Sequence, residues 1–314
     1  MLSYDEKAIK RIVQRLMNFE KSIKIPANAE SDVHSLIAYL RYESTILFHL
    51  GEVEYVFSPR HKKAVLSPCY LYSKNEYESL VSQLAVTVQK IRDQICKTPS
   101  MLERELLVHD AFCGSVQYAD DGDQSHSIVG PLLFKRGVCD GISKAVKVVL
   151  QETGIKSHVI SGMAQTGISH QNEPHAWNIV QMNQDWYHLD VTFDNTLSNK
   201  SIRYDYFNVC DKELFKDHTI GFDSPFQSTR CLTEQDYYSL KGNMFHDLAD
   251  VQQHIARCIN EKQTTIQLRI SSELVIRELE TLFAKELSRC SVRAYYDFSY
   301  NEVRGVYCWD IEFK

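Results

Sequence analysis

The chain has 314 residues, 44% of them hydrophobic and 24% charged, with only 12 Gly and 7 Pro. Those values exclude fibrous, collagen-like and disordered classes, and the length suggests two domains or one with appendages. A net charge of -6 offers no basic footprint for nucleic acid or an anionic membrane, so neither is expected as a partner.

The opening segment MLSYDEKAIKRIVQRLM mixes charge into every turn and no run of 18 apolar residues occurs. A cytoplasmic location is therefore expected. The nine cysteines (Cys69, Cys96, Cys113, Cys139, Cys210, Cys231, Cys258, Cys290 and Cys308) are odd in number and scattered, the nearest two being Cys96 and Cys113. That spacing excludes CxxC zinc pairs and argues against a disulfide framework, leaving reduced thiols.

In chain order, Ser3 and Glu6 form an S-x-x-E capping box ahead of Ile9, Ile12, Val13, Leu16 and Met17 at helical spacing, with Pro26 ending the pattern. Leu36, Ile37 and Leu40 mark a second helix, and residues 52–57 and 64–72 read as short strands. Asn75 introduces a long helix with its stripe on Tyr77, Leu80, Val81, Leu84, Val88, Ile91 and Ile95. Ser100 and Glu103 cap the next helix, which runs toward His109 and Cys113. The polar stretch 118–127 is a loop. Its Asp120, Asp121 and Asp123 lack EF-hand spacing and a bidentate Glu, so no metal is expected there.

From residue 138 the pattern becomes a helix followed by strands. Ile142, Ala145, Val146 and Val149 share one helix face and Lys144, Lys147 and Gln151 the other, until Gly154. Residues 157–162, 175–182 and 185–193 read as strands, and 203–260 as mixed. The tail from Thr264 reads as a strand, an amphipathic helix over 271–289, and two strands on which Ala294, Tyr296, Phe298 and Tyr300, then Tyr307, Trp309, Ile311 and Phe313, alternate.

Cys139, in KRGVCDGISKAV, stands at the start of a helix, where unpaired N–H groups and the dipole favour thiolate. Gly137 is suited to a tight entry turn, and Gly141 leaves space beside the Cys. A thiol nucleophile needs a base, and the base needs an orienting group. His175 and Asp190 qualify by parity: a four-residue hairpin loop over 181–184 sets them opposite, and a two-residue loop at Asn183 and Gln184 makes them diagonal on the same face. His188 shares that parity as partner or bystander. His158 and His170 read as surface or loop histidines, and His109 beside Asp110 as structural.

GVCDG before a helix, then HAWNIV, then DWYHLDVTFD resembles the Cys, His and Asp blocks of the transglutaminase-like superfamily, which shares a papain-like core with thiol proteases. ERELLVHDAFCGSVQYAD, RYDYFNVCDKELFKDHTI and CLTEQDYYSLKG are similar to flanking segments of its bacterial branch related to a cytokinesis protein. Ile142 and Ser143 depart from the aromatic and Ala usual after the Cys block, and Phe193 from a Trp.

The resemblance implies an α+β fold: a helix carrying Cys139 packed on an antiparallel sheet carrying His175 and Asp190. The expected divisions are a helical N-terminal region with a short hairpin over 1–99, the core over 100–260 and a small α+β module over 261–314. It further implies a cysteine enzyme acting on carboxamide or peptide bonds of a protein or peptide substrate through a thioester, without cofactor or metal. The backbone N–H of Cys139 would be one oxyanion donor, with Tyr118 or Gln117 a second, and Trp177 and Trp186 walls of the site. The other class of function is a catalytically silent scaffold that keeps the fold to bind protein partners, for example in cell division.

Overall fold

The computed structural model describes residues 3–165, 171–222, 224, 226, 229–271 and 276–314. At the N-terminal end lie α1 (Glu6–Met17), β1 (Ile23–Pro26), α2 (Glu30–Tyr42), β2 (Leu50–Ser58) and β3 (Lys63–Tyr70), the strands forming a sheet of order β1-β3-β2. Asp5 caps α1 by accepting the Ala8 N–H at 2.7 Å, whereas Ser3, expected as the cap, donates to Asp32. Strand β1 lies in the stretch expected to end the first helix; Ile23 and Ile25 alternate into a core with Ile12, Leu16, Leu36 and Leu66.

Helix α3 (Lys74–Ile95) starts one turn before its apolar stripe because Ser73 and Glu76 form a reciprocal capping box. Helix α4 (Met101–Ser115) is capped by Ser100 as expected. Strands β4 (Gln117–Tyr118) and β5 (Arg136–Gly137) then pair in parallel and lead into α5 (Cys139–Glu152), which ends before Gly154 at φ +85°.

Against α5 packs the antiparallel sheet of β6 (Lys156–Gln165), β7 (Asn172–Met182), β8 (Asp185–Leu189) and β9 (His218–Ile220), in the order β8-β7-β6-β9. Ile142, Val146, Val149 and Leu150 of α5 meet Val180, Tyr187 and Leu189 in a common core. This is the α+β, papain-like core that the sequence leads one to expect.

Two readings change here. On the face of α5 expected to be solvated, Gln151 is exposed, but Lys144 and Lys147 are buried, Lys147 under the end of α2 and Lys144 between Tyr42 and the His126 carbonyl. The Lys147 ammonium donates to Glu43 Oε2 at 2.6 Å, and that carboxylate also accepts from His158 Nδ1 at 2.8 Å and the Val159 N–H at 3.1 Å. The third strand of the run stops at Leu189; Asp190 then caps α6 (Val191–Leu197), so 191–193 are helical rather than extended.

The segment read as mixed contains α7 (Asp211–Leu214), β9, α8 (Tyr237–Lys241), β10 (Met244–Phe245) and α9 (Leu248–Asn260). Strands β11 (Thr265–Ile270), β12 (Ala294–Asn301) and β13 (Val306–Phe313), with α10 (Ile276–Arg289), complete the chain. The C-terminal sheet runs β10-β11-β13-β12, and α9 shares its apolar core, so that layer reaches back before residue 261. Buried ion pairs tie it to the preceding segment: Arg269 pairs with Asp236 at 2.7 Å and with Glu213, and Arg304 with Glu213 at 3.1 Å. Among the described residues, no helix is long and apolar enough to cross a membrane.

Candidate active site

Cys139 is the first residue of α5, following Val138, which offers no side-chain cap, so the N–H groups of the first turn have no intrahelical acceptor. A Cβ on Gly141 would lie 2.1 Å from the Ser125 carbonyl oxygen. The glycine thus gives its space to the loop that folds over the helix start, rather than to the thiol. Gly137 lies in β5, and a Cβ there would meet the Pro131 ring, so its role is also one of close packing.

Next to the thiol-bearing residue, Asp140 receives His126 Nδ1 at 3.0 Å and Lys144 Nζ at 3.2 Å, with Arg41 at 3.6 Å. Burial alone would raise its pKa, but Lys144, His126 and Arg41 outweigh it and bring the carboxyl down to about 2. Asp140 is therefore a fixed anion at neutral pH. A cavity of about 950 Å³ opens beside this cluster, lined by Arg41, Asp123, His126 and Lys144 and, across it, β2. Cys139 and His175 do not line it.

Helix and sheet are latched beside Cys139 and His175. The Ser143 hydroxyl lies 2.6 Å from the Cys139 carbonyl oxygen and 2.8 Å from that of Ala176, and Asn178 Nδ2 donates to the Ser143 carbonyl at 2.9 Å. These bonds connect the first turn of α5 to the strand residue following His175.

The β7–β8 turn is the two-residue one at Asn183 and Gln184, with Asn183 at φ +59°, and the last pair before Asp190 is Asn178 with Leu189. His175 and Asp190 are accordingly diagonal, and His175 Nε2 donates to Asp190 Oδ2 at 2.6 Å. This leaves Nδ1 as the other ring nitrogen of His175. Asp190 Oδ1 accepts the Phe193 N–H at 3.0 Å, so helix capping fixes the carboxylate that fixes the imidazole.

Burial acts to lower the His175 pKa; the Asp190 charge and hydrogen bond, joined by a hydrogen bond and charge from Cys139, overcome it and hold the imidazole at about 10. Asp190, fully buried, is in turn kept well below the usual carboxylate range by His175 and His218. The structure thus brings Cys139, His175 and Asp190 together, with His175 stabilised as imidazolium.

His218 is the neighbour that sequence reasoning missed. Its Nε2 lies 3.1 Å from Asp190 Oδ2, the oxygen His175 also uses, and its Nδ1 lies 2.5 Å from Asp217 Oδ1. The Asp-His pair ahead of the alternating Thr219 and Ile220 was the available signal, in a segment without periodicity.

The remaining expected residues are placed as follows. Tyr118 is half-exposed and close enough to feel Cys139: burial, then the charges of Cys139, Glu173 and Asp140, push its phenol up to about 12. Gln117, beside it on β4, is exposed. Trp177 is fully buried and donates its indole N–H to His188 Nδ1 at 3.0 Å, so it supports the His175 ring from inside instead of walling an open cleft. Trp186 packs against His158 with ring centroids 5.3 Å apart. His158 is a partly buried strand residue bound to Glu43, not a loop histidine. His170 lies outside the described residues.

His188, whose Nε2 contacts Asp211 Oδ1 at 2.9 Å, is a buried partner of Trp177. His109 has the groups of a second constellation, with Asp194 at 3.1 Å and Cys113 Sγ at 3.6 Å, but it is wholly buried and packs α4 against α6. Of the loop acids, Asp121 pairs with Arg136 at 2.8 Å, and Asp120 accepts the Gly122 N–H at 3.0 Å.

Residues 89–191 match the family model of the transglutaminase-like superfamily. No curated protein matches the chain. Among solved structures, it is similar to a candidate cysteine protease from Cytophaga hutchinsonii (12% identity, TM-score 0.31, covering 46% of this chain and 66% of that one). It is also similar to a TGase (14%, 0.30, 55% and 51%) and to the periplasmic domain of TgpA from Pseudomonas aeruginosa (15%, 0.28, 42% and 53%). The chain spans less than two thirds of the length of each. The span that matches the transglutaminase-like superfamily model contains Cys139 and His175 and ends just past Asp190.

Proposed function

We propose that the chain is a cysteine enzyme of the transglutaminase-like class that transfers acyl groups from carboxamide or peptide bonds of a protein or peptide substrate. The observation that carries this reading is the arrangement of His175: its Nε2 is held by the buried Asp190 at 2.6 Å and its ring lies close enough to feel Cys139, the first residue of a helix.

In the proposed reaction the Cys139 thiolate attacks the carboxamide carbon and a C–S bond forms. The C–N bond then breaks as imidazolium His175 gives its proton to the departing amine, leaving a thioester and neutral imidazole. Water or a second amine next attacks the thioester, His175 takes its proton, and the C–S bond breaks to restore thiolate and imidazolium. Asp190 holds the ring orientation throughout. The Cys139 backbone N–H, with the Tyr118 hydroxyl near the thiol, would face the developing oxyanion.

Iodoacetamide labelling near neutral pH, mapped by mass spectrometry, tests the nucleophile: Cys139 should react faster than the other eight cysteines. Equal reactivity across the nine would leave the binding-scaffold reading, with partners such as those of cell division. Incubation with a glutamine peptide and a labelled amine separates the two outcomes of the thioester. Incorporation that Cys139→Ala abolishes marks an acyltransferase, and peptide or amide cleavage without incorporation marks a hydrolase.

A further inference from the structure

We propose that His218 is a positioning residue for the Cys139–His175 pair: clamped between the Asp190 and Asp217 carboxylates, it shares the oxygen that orients His175 and tempers the hold of Asp190 on it. This rests on the reading of Cys139 as a nucleophile served by His175.

Three observations converge on it. First, one ring nitrogen of His218 faces each carboxylate, at 3.1 Å and 2.5 Å, and a carboxylate can only accept, so both nitrogens must carry hydrogen. His218 is then an imidazolium. Second, Asp190 Oδ2 receives His175 and His218 together, at 2.6 Å and 3.1 Å, and the two rings lie 5.6 Å apart, edge to face. The same anion therefore serves two cations that repel each other. Third, the arrangement is built and enclosed: His218, Asp190 and Asp217 are all buried.

Register and packing put His218 there. Strand β9 pairs with β6, His218 opposite Ala164 and Ile220 opposite Gly162, and Gly162 is also the partner of His175 on the other side of β6. A Cβ on Gly162 would lie 2.0 Å from the Thr219 carbonyl oxygen. Only a residue without a side chain lets β9 come close enough for His218 to reach Asp190.

The groups facing His218 come from every element around it. Asp190 and the Phe193 ring belong to the start of α6, His175 and Trp177 to β7, and His188 to β8. Asp217 precedes it, and the Tyr206 hydroxyl donates to Asp217 Oδ2 at 2.6 Å. Tyr206 is itself contacted by Asn301 at 3.3 Å and overlain by Arg304 at 5.6 Å, both from the C-terminal layer. Burial acts against charge on His218, and the hydrogen bonds to Asp190 and Asp217 outweigh it, so its pKa stands above the ordinary histidine value.

An alternating row results: His175 positive, Asp190 negative, His218 positive, Asp217 negative. Without His218, the Asp190 charge would fall undivided on His175, and the proton His175 must give to the leaving amine would be held more tightly. A metal ion is a poorer reading of the histidines near Asp190 and Asp211. The Trp177 N–H aimed at His188 Nδ1 places the His188 proton on Nε2, the nitrogen that would have to ligate beside Asp211 and Cys231.

The test is the pH profile of Cys139 alkylation by iodoacetamide in wild type and in H218N, with folding checked by circular dichroism. In H218N the alkaline limb, the inflection at which His175 loses its proton and the ion-paired thiolate becomes a free one, should move up by about one pH unit, the scale of removing a like charge at this separation. D217N, which lets His218 fall neutral while keeping its N–H bond to Asp190, should move the limb the same way by less, because the lost Asp217 charge offsets part of the lost His218 charge. A folded H218N or D217N with the limb unmoved overturns the proposal. Nitrogen-15 NMR of the wild type is independent of any variant: His218 should keep both ring N–H protons at pH 8, and a neutral ring there overturns it equally. If wild-type Cys139 reacts no faster than the other cysteines, the nucleophile reading fails instead, which the same labelling data distinguish.

Discussion

Replacing Asp190 by Asn removes one charge and almost no volume, and its effect can be worked from the site. His175 has a folded-state pKa above its ordinary 6.5, at about 10, so its pairing contributes stability that is complete below 6.5 and lost as pH rises through about 10. Asp190 is shifted the other way, and its share is present above 3.8 and lost as pH falls through its lowered value. Both shares are complete between about pH 3.8 and 6.5; at pH 7 to 8 the pair is still charged, with part of the His175 share already lost. Returning His175 from about 10 to 6.5 removes a coupling of about 5 kcal/mol at 1.36 kcal/mol per unit. The measured loss of stability should be smaller, about 3 kcal/mol, since the variant can keep His175 neutral. At pH 8 a histidine of pKa 6.5 is only about 3% charged, so the imidazolium beside the Cys139 thiolate is lost; an ordinary cysteine is about one quarter thiolate at that pH, and Cys139 alkylation should fall about fourfold. Iodoacetamide rates measured from pH 5 to 10 give both the rate and its pH limbs. A folded Asp190→Asn variant that alkylates at the wild-type rate at pH 8 would refute the account of His175.

Three further substitutions test the surroundings. Ser143→Ala removes the hydroxyl shared by the Cys139 and Ala176 carbonyls; it should cost about 1 kcal/mol in urea unfolding and slow Cys139 alkylation, and unchanged alkylation would show that the latch does not set the Cys–His geometry. Gly162→Ala must displace the Thr219 backbone and should destabilise by about 1–3 kcal/mol, so an unshifted thermal midpoint would contradict the packing described. Glu105 is wholly buried, and burial raises its pKa to about 8 despite the Asn208 hydrogen bond at 2.9 Å. As an acid kept neutral on folding, it should make stability fall by about 3 kcal/mol between pH 5 and 7, where the unfolded chain ionises and the folded one does not. Glu105→Gln should flatten that slope, and parallel urea stability curves for the two proteins would count against it.

The sequence made Cys139, His175 and Asp190 legible because each obeys a local rule: a helix start, a strand, and a shared parity that an even-length turn preserves. The parity argument survived even though Asp190 caps a helix beyond its strand, since the diagonal distance was still bridged by the His175 side chain. His218 was illegible for the opposite reason. It sits on a strand of three residues in a segment held by buried ion pairs such as Arg269 with Asp236 and Arg304 with Glu213, and charge pairing leaves no periodic trace. Lys144 and Lys147 misled for a related reason: lysines opposite an apolar stripe ordinarily face water, and only the fold shows that the end of α2 and the His126 segment lie over them.

The Glu43 carboxylate has a consequence for how this chain could be dissected or recombined. It arrives from the end of α2 yet satisfies Lys147, His158 and the Val159 N–H deep in the central layer. Trimming the chain to begin at α3 would strand the Lys147 ammonium in a site built around its counter-ion, and exchanging α5 with a helix lacking that lysine would leave Glu43 without its cation. The first 70 residues and the Cys139 helix are therefore coupled through one buried ion pair, and a chimera should join them or exchange them together.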